Sequence, residues 1–195
     1  MSAIRFERGE EGFLEPVLEF PPGAVTVYVA GPEGFSSTTR GWMEGTLIPV
    51  LEAIGFTVIS PWELTSDEEI AAVMEMPLGE ARLQARQAMN RRIAARNERA
   101  MCVAHCCTAS LVGEPPDCGT TSEVAAFSVM HNYKRTIIGF RDDLRCSGEE
   151  GSVVNLQVVH WIERTCDGSI VTNLVDLTEA ATALYQRLRS QVAAS

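Results

Sequence analysis

Short apolar runs alternate along the chain with longer amphipathic ones. Ala24 to Ala30 reads AVTVYVA directly after the breaker Pro21-Pro22-Gly23, which predicts a first buried strand. Ser36 stands where a helix cap belongs, ahead of a mixed apolar pattern that continues through Ile54. Phe56 to Ser60, held between Gly55 and Pro61, predicts a second strand, so the chain opens as strand, loop, helix, strand rather than as a hairpin. Leu64 to Gly79 is acidic, carries methionines and is interrupted by Pro77, a pattern that fits a lid or a surface excursion.

Glu80 to Met101, rich in Ala, Arg and Gln, is the strongest helical run, and its arginines predict a solvated face, with a partner surface as the other reading. Beyond it, Cys107 to Val112, Thr136 to Phe140 and Ser169 to Thr172 read as strands. Thr120 to His131, Val153 to Ile162 and Leu177 to Val192 read as helices, and the polar stretch Arg141 to Ser152 reads as a loop. The alternation predicts an α/β fold: a single doubly wound, mostly parallel five-stranded sheet, flavodoxin-like or Rossmann-like, with helices on both faces. No repeat or linker divides it, so residues 1–23 are read as an N-terminal extension and 24–195 as one domain.

Composition agrees with that size of core. The 195 residues are 46% hydrophobic and 22% charged, enough apolar material for one domain and too little charge for a disordered chain. The 26 acidic against 16 basic residues give a net charge of −10, which repels a nucleic-acid polymer but leaves a small nucleoside admissible. Met1 to Gly23 has neither a basic leader nor an apolar signal core, and no run approaches the roughly 20 apolar residues of a membrane span, so a soluble, cytoplasmic protein is expected. In that setting Cys102, Cys106, Cys107, Cys118, Cys146 and Cys166 read as reduced thiols. With no CxxC or HExxH spacing, the cluster around His105 reads as packing rather than as a metal site.

In an open parallel sheet, ligands bind beyond the carboxyl ends of the strands. Three blocks fall there: Gly31-Pro32-Glu33-Gly34-Phe35, Pro116-Asp117-Cys118-Gly119-Thr120-Thr121-Ser122-Glu123, and Phe140-Arg141-Asp142-Asp143-Leu144-Arg145. The first has neither GxGxxG spacing nor a P-loop ending, which argues against a dinucleotide cofactor or ATP. Its Gly31 and Gly34 either make a tight turn or admit a ligand against the backbone. Asp117 and Glu123 lie six residues apart across a helix start, where the helix field can hold a carboxylate that points into the cleft. Such a carboxylate suits a nucleophile or a charge stabiliser.

Taken together, Tyr28-Val29-Ala30-Gly31-Pro32, Ser60-Pro61-Trp62-Glu63, the Pro116 to Val124 block and Gly139 to Arg145 resemble the nucleoside 2-deoxyribosyltransferase family in order and spacing, from about Val25 to the C-terminal helix. The resemblance implies transfer of 2-deoxyribose between nucleobases through a covalent glutamyl-sugar intermediate, without cofactor or metal. Glu123 takes the nucleophile's position, and Asp117 that of the residue that protonates or holds the departing base. A proton donor must hold its proton while the nucleophile stays ionised, so the two carboxyls would divide the roles. Hydrolysis of 2-deoxynucleosides or their monophosphates, or nucleotide sensing without turnover, are the alternatives.

The resemblance extends to further residues. Tyr28 either orients Glu123 or fills the core, and Gly31, Phe35 and Gly119 fall in the pocket. Trp62 either stacks on the base or packs its loop. Asn97 falls where some members have a sugar-binding aspartate, and reads either as a sugar contact or as a surface helix asparagine; it can exchange hydrogen bonds with a hydroxyl but cannot act as an acid. Asp143 and Arg145 match the third block, either as substrate contacts or as a solvated pair. Asn155 resembles an asparagine segment by which a neighbouring subunit completes the pocket. A 2-deoxynucleoside donor, a free purine or pyrimidine acceptor and a homo-oligomer are therefore the implied partners.

Overall fold

The computed structural model describes residues 4–9, 13–143 and 154–193. Five parallel strands form the main sheet: β3 (Thr26–Ala30), β4 (Thr57–Ile59), β5 (Cys106–Ser110), β6 (Ile137–Phe140) and β7 (Ser169–Val171). Their order is β4-β3-β5-β6-β7, with Tyr28 level with Ile59 on one side and Cys107 on the other. The order reverses between β3 and β5, the place where a doubly wound sheet opens a crevice at its strand ends.

The helices are α1 (Ser37–Trp42), α2 (Ile48–Ile54), α3 (Asp67–Met74), α4 (Glu80–Val103), α5 (Cys118–Met130), α6 (Leu156–Glu163) and α7 (Leu174–Val192). A π-helical turn, Met43–Leu47, joins α1 to α2 in one rod that starts at the Ser36 cap and ends at Gly55, whose φ of +120° suits glycine. The two-residue period of the strands divides the core between the faces. Val27, Val29, Cys106, Ile138 and Phe140 pack with α2 and α7. Tyr28, Ala30, Cys107, Ala109 and Ile137 pack with α4, α5 and α6.

Three features add to or depart from the sequence reading. The acidic stretch after Leu64 contains α3, capped by Ser66, whose hydroxyl accepts from the Glu69 amide at 3.2 Å. Residues before Gly23 include an antiparallel hairpin, β1 (Phe6–Arg8) with β2 (Leu14–Pro16), and Ile4, Leu18 and Phe20 pack against the core. The arginines of α4 are not all solvated: Arg96 is fully buried and Arg92 is partly covered, because the hairpin and α3 cover that side of the helix. No helix among the described residues is long and apolar enough to cross a membrane.

Candidate active site

Asp117 shapes the central strand-end turn. Its side chain accepts from the Thr120 amide at 2.8 Å and from the Thr120 hydroxyl at 3.1 Å, capping α5. From that cap the first turns of α5 carry Glu123 over the sheet, onto the face that Tyr28 occupies through strand alternation.

The buried Tyr28 hydroxyl donates to Glu123 Oε1 at 2.8 Å, and Asn97 Nδ2, arriving from α4, donates to the same oxygen at 3.4 Å. Asn97 Oδ1 is buried without a hydrogen-bond partner among the described residues, an acceptor suited to a ligand donor. Burial pushes the Glu123 carboxyl above the usual carboxylate range. The Tyr28 and Asn97 hydrogen bonds pull it back down, and the nearby Asp117 charge pushes it up again. Burial, then the Glu123 charge and hydrogen bond, raise Tyr28, so its hydroxyl stays protonated and acts as a donor.

Beside this cluster lies a cavity of about 520 Å³. Gly31, Phe35, Trp62, Asn97, Asp117, Gly119 and Glu123 all line it. Phe35, 77% exposed, stands at the rim with its ring edge-on to Trp62, the centroids 4.5 Å apart. The Trp62 indole lies so close over Gly34 that a Cβ there would overlap it, which accounts for glycine at that position. Two other cavities, of about 360 and 550 Å³, lie at the opposite end of β6 and between α2 and α7, and neither brings two carboxylates together.

Other residues named from sequence fall elsewhere. Asp143 accepts from the Gly113 amide at 3.0 Å, and Asn155 caps α6 by accepting from the Gln157 amide at 2.9 Å; neither lines the cavity. Arg145 lies outside the described residues. Among the described residues no group of three or more His, Cys, Asp or Glu is placed to hold a metal ion. His105 Nδ1 shares its hydrogen bond with the Thr26 hydroxyl at 2.7 Å, and burial raises the Cys106 and Cys107 thiols, which keeps them protonated and unreactive.

Sequence reasoning missed several wall residues. Asn90, Ile93 and Ala94 line the cavity along with Asn97. Their spacing places them on one strip of α4, a signal that helical periodicity contains once Asn97 is singled out. Glu33 was also missed. It is buried behind Gly31, its Oε1 accepts from the Ser110 hydroxyl, and its Oε2 has no partner among the described residues. Burial raises its carboxyl, against the Ser110 hydrogen bond.

Comparisons with known proteins agree on the architecture. A conserved protein from Enterococcus faecalis V583 superposes with a TM-score of 0.60 at 18% identity, over 82% of this chain and 98% of that one. A 2-deoxyribosyltransferase from Bacillus psychrosaccharolyticus gives 0.51 at 17% identity, over 79% and 90%. The 2-deoxyribosyltransferase of Leishmania mexicana gives 0.53 at 16%, over 84% and 97%. At such identities these likenesses establish the fold. No curated protein matches by sequence. The sequence pattern of the nucleoside 2-deoxyribosyltransferases, by contrast, matches residues 27–157, about two thirds of the chain and every residue that lines the strand-end cavity. The chain therefore belongs to the nucleoside 2-deoxyribosyltransferase family.

Proposed function

We propose that this protein is a nucleoside deoxyribosyltransferase that moves 2-deoxyribose from one nucleobase to another through an ester on Glu123. The reading rests on one observation above all: a half-buried carboxylate held by the Tyr28 hydroxyl at 2.8 Å on the wall of a cavity that Asp117 also lines. Residues 24–195 form the catalytic unit in this reading, and it works as a homo-oligomer in which a neighbour brings its Asn155 segment to the cavity.

In the first half-reaction a Glu123 carboxylate oxygen bonds to the anomeric carbon while the N-glycosidic bond breaks. The bonding electrons leave on the base nitrogen, and Asp117 supplies the proton that makes the base a neutral leaving group. Tyr28 and Asn97 hold the Glu123 carboxyl through hydrogen bonds that favour its ionised form, against the burial that disfavours it. In the second half-reaction a free base nitrogen attacks the same carbon from the vacated face, the ester bond breaks, and Asp117 takes up a proton. Two inversions return the configuration of the donor. Trp62 and Phe35, the aromatic pair at the cavity mouth, offer faces for a base to stack on.

The test is an exchange panel in which each deoxynucleoside donor meets each free base, with quenched enzyme analysed by mass spectrometry. The expected results are new nucleosides of retained configuration, a deoxyribosyl adduct on Glu123, and loss of both in Glu123→Ala. Undiminished exchange in Glu123→Ala, or an inverted first product, would overturn the mechanism. Free sugar without exchange would replace transfer by hydrolysis.

A further inference from the structure

The family pattern begins at residue 27, so the β1-β2 hairpin lies outside it. Yet the hairpin is joined to the cavity wall by the most completely buried charge in the described structure. Arg96 on α4 donates from Nη2 to the Leu14 carbonyl at 2.8 Å and to Glu15 Oε1 at 3.2 Å, both on β2. From Nη1 it donates to Glu69 Oε2 on α3 at 2.7 Å and to the Thr65 hydroxyl at 3.2 Å. Arg92, one turn earlier, pairs with the other oxygen of Glu69 at 2.7 Å and lies over the Phe13 ring at 3.7 Å. Arg99, nearly one turn later, pairs with Glu15.

Thr65, Ile70 beside Glu69, and Ile93, Ala94 and Asn97 on either side of Arg96 all line the cavity. One guanidinium therefore fastens three wall segments to one another and to the hairpin. Its planar fork makes these bonds in directions that fix the rotation of α4 as well as its position. Rotation matters here because Asn97 reaches Glu123 at 3.4 Å, the outer limit of a hydrogen bond, where a small turn of the helix breaks the contact.

We propose that the N-terminal hairpin is a clamp for the active site, acting through Glu15 and Arg96 as positioning residues that hold Asn97 against Glu123. The proposal rests on the catalytic reading above. Glu15 and Arg96 do not touch substrate; they set the angle of the helix that does.

Arg96→Ala would take the central charge out of a buried network, leaving Glu69 only Arg92 and Glu15 only Arg99, and is a poor test, since the chain can fail to fold. Glu15→Ala, on the partly exposed strand β2, removes the hairpin's carboxylate bonds to Arg96 and Arg99, weakening one side of the clamp to the Leu14 carbonyl bond, and leaves the Arg96–Glu69 pair in place. Hydrogen exchange should quicken over residues 65–74 and 90–97 and stay unchanged in β3 and β5. In the base-exchange assay kcat should fall by about tenfold in an otherwise natural chain and by less than about twofold in an Asn97→Ala background, because the clamp acts through Asn97. Equal losses in both backgrounds would reduce the hairpin to a general stabiliser and overturn the proposal, as would unaltered exchange over α4. A natural chain that performs no base exchange would refute the catalytic reading alone, and the hydrogen-exchange result would then decide the clamp.

Discussion

Replacing Tyr28 by phenylalanine removes one oxygen from a fully buried position and leaves the ring in place, so no cavity opens and the sheet keeps its packing. What disappears is the 2.8 Å hydrogen bond to Glu123, leaving the carboxylate only the 3.4 Å contact from Asn97. A hydrogen bond to a charged group contributes about 1.5–3 kcal/mol. With each roughly 1.4 kcal/mol worth tenfold, kcat/KM should fall about 10- to 150-fold near neutral pH. The loss has two parts with different pH dependence. Burial already raises the Glu123 carboxyl, and the Tyr28 hydrogen bond is the largest influence lowering it, so the variant's carboxyl sits higher still. The acid limb of the pH–rate profile must therefore move to higher pH. Raising the pH restores that part of the activity, while the part due to lost orientation stays lost. Steady-state kinetics from pH 5 to 9 with one donor and one acceptor separate the two. An acid limb that stays put or moves down, with kcat/KM within twofold of the natural chain, would refute the role assigned to the hydroxyl.

Two further outcomes follow from the same site. Asp117→Asn keeps an oxygen to cap α5 but loses the proton, so kcat should drop about 10²- to 10⁴-fold with poor leaving bases and much less with activated ones, while the thermal midpoint changes little; equal losses for both kinds of base would remove Asp117 from the acid role. Glu123→Gln should abolish transfer and raise the urea midpoint at pH 7: a carboxyl raised in the folded state favours folding below its unfolded value near 4.3 and loses that contribution as pH rises through its folded value, so the gain should vanish near pH 4, and an unchanged or lower midpoint at pH 7 would contradict it.

Much of this molecule is legible in its sequence because the relevant signals are local. The β-branched run before Ala30, the Ser36 cap and the Asp117 turn each lie within a few residues, and periods of two and of about 3.6 residues are enough to separate strands from helices. The same blocks carry the family resemblance and Glu123 itself. Tertiary structure alone decided which distant residues meet. Tyr28 and Glu123 are 95 positions apart, and only the pleat of β3 and the start of α5 turn them toward the same oxygen. The arginines of α4 read as a solvated face because composition records charge but not cover, and Arg96 is buried by a hairpin more than 80 residues upstream. Nothing in the Gly31 to Phe35 block singles out the carboxyl of Glu33, whereas folding closes it behind Gly31 against Ser110 on β5. Burial and long-range pairing depend on the packing of several elements at once, a property that no single stretch of sequence carries.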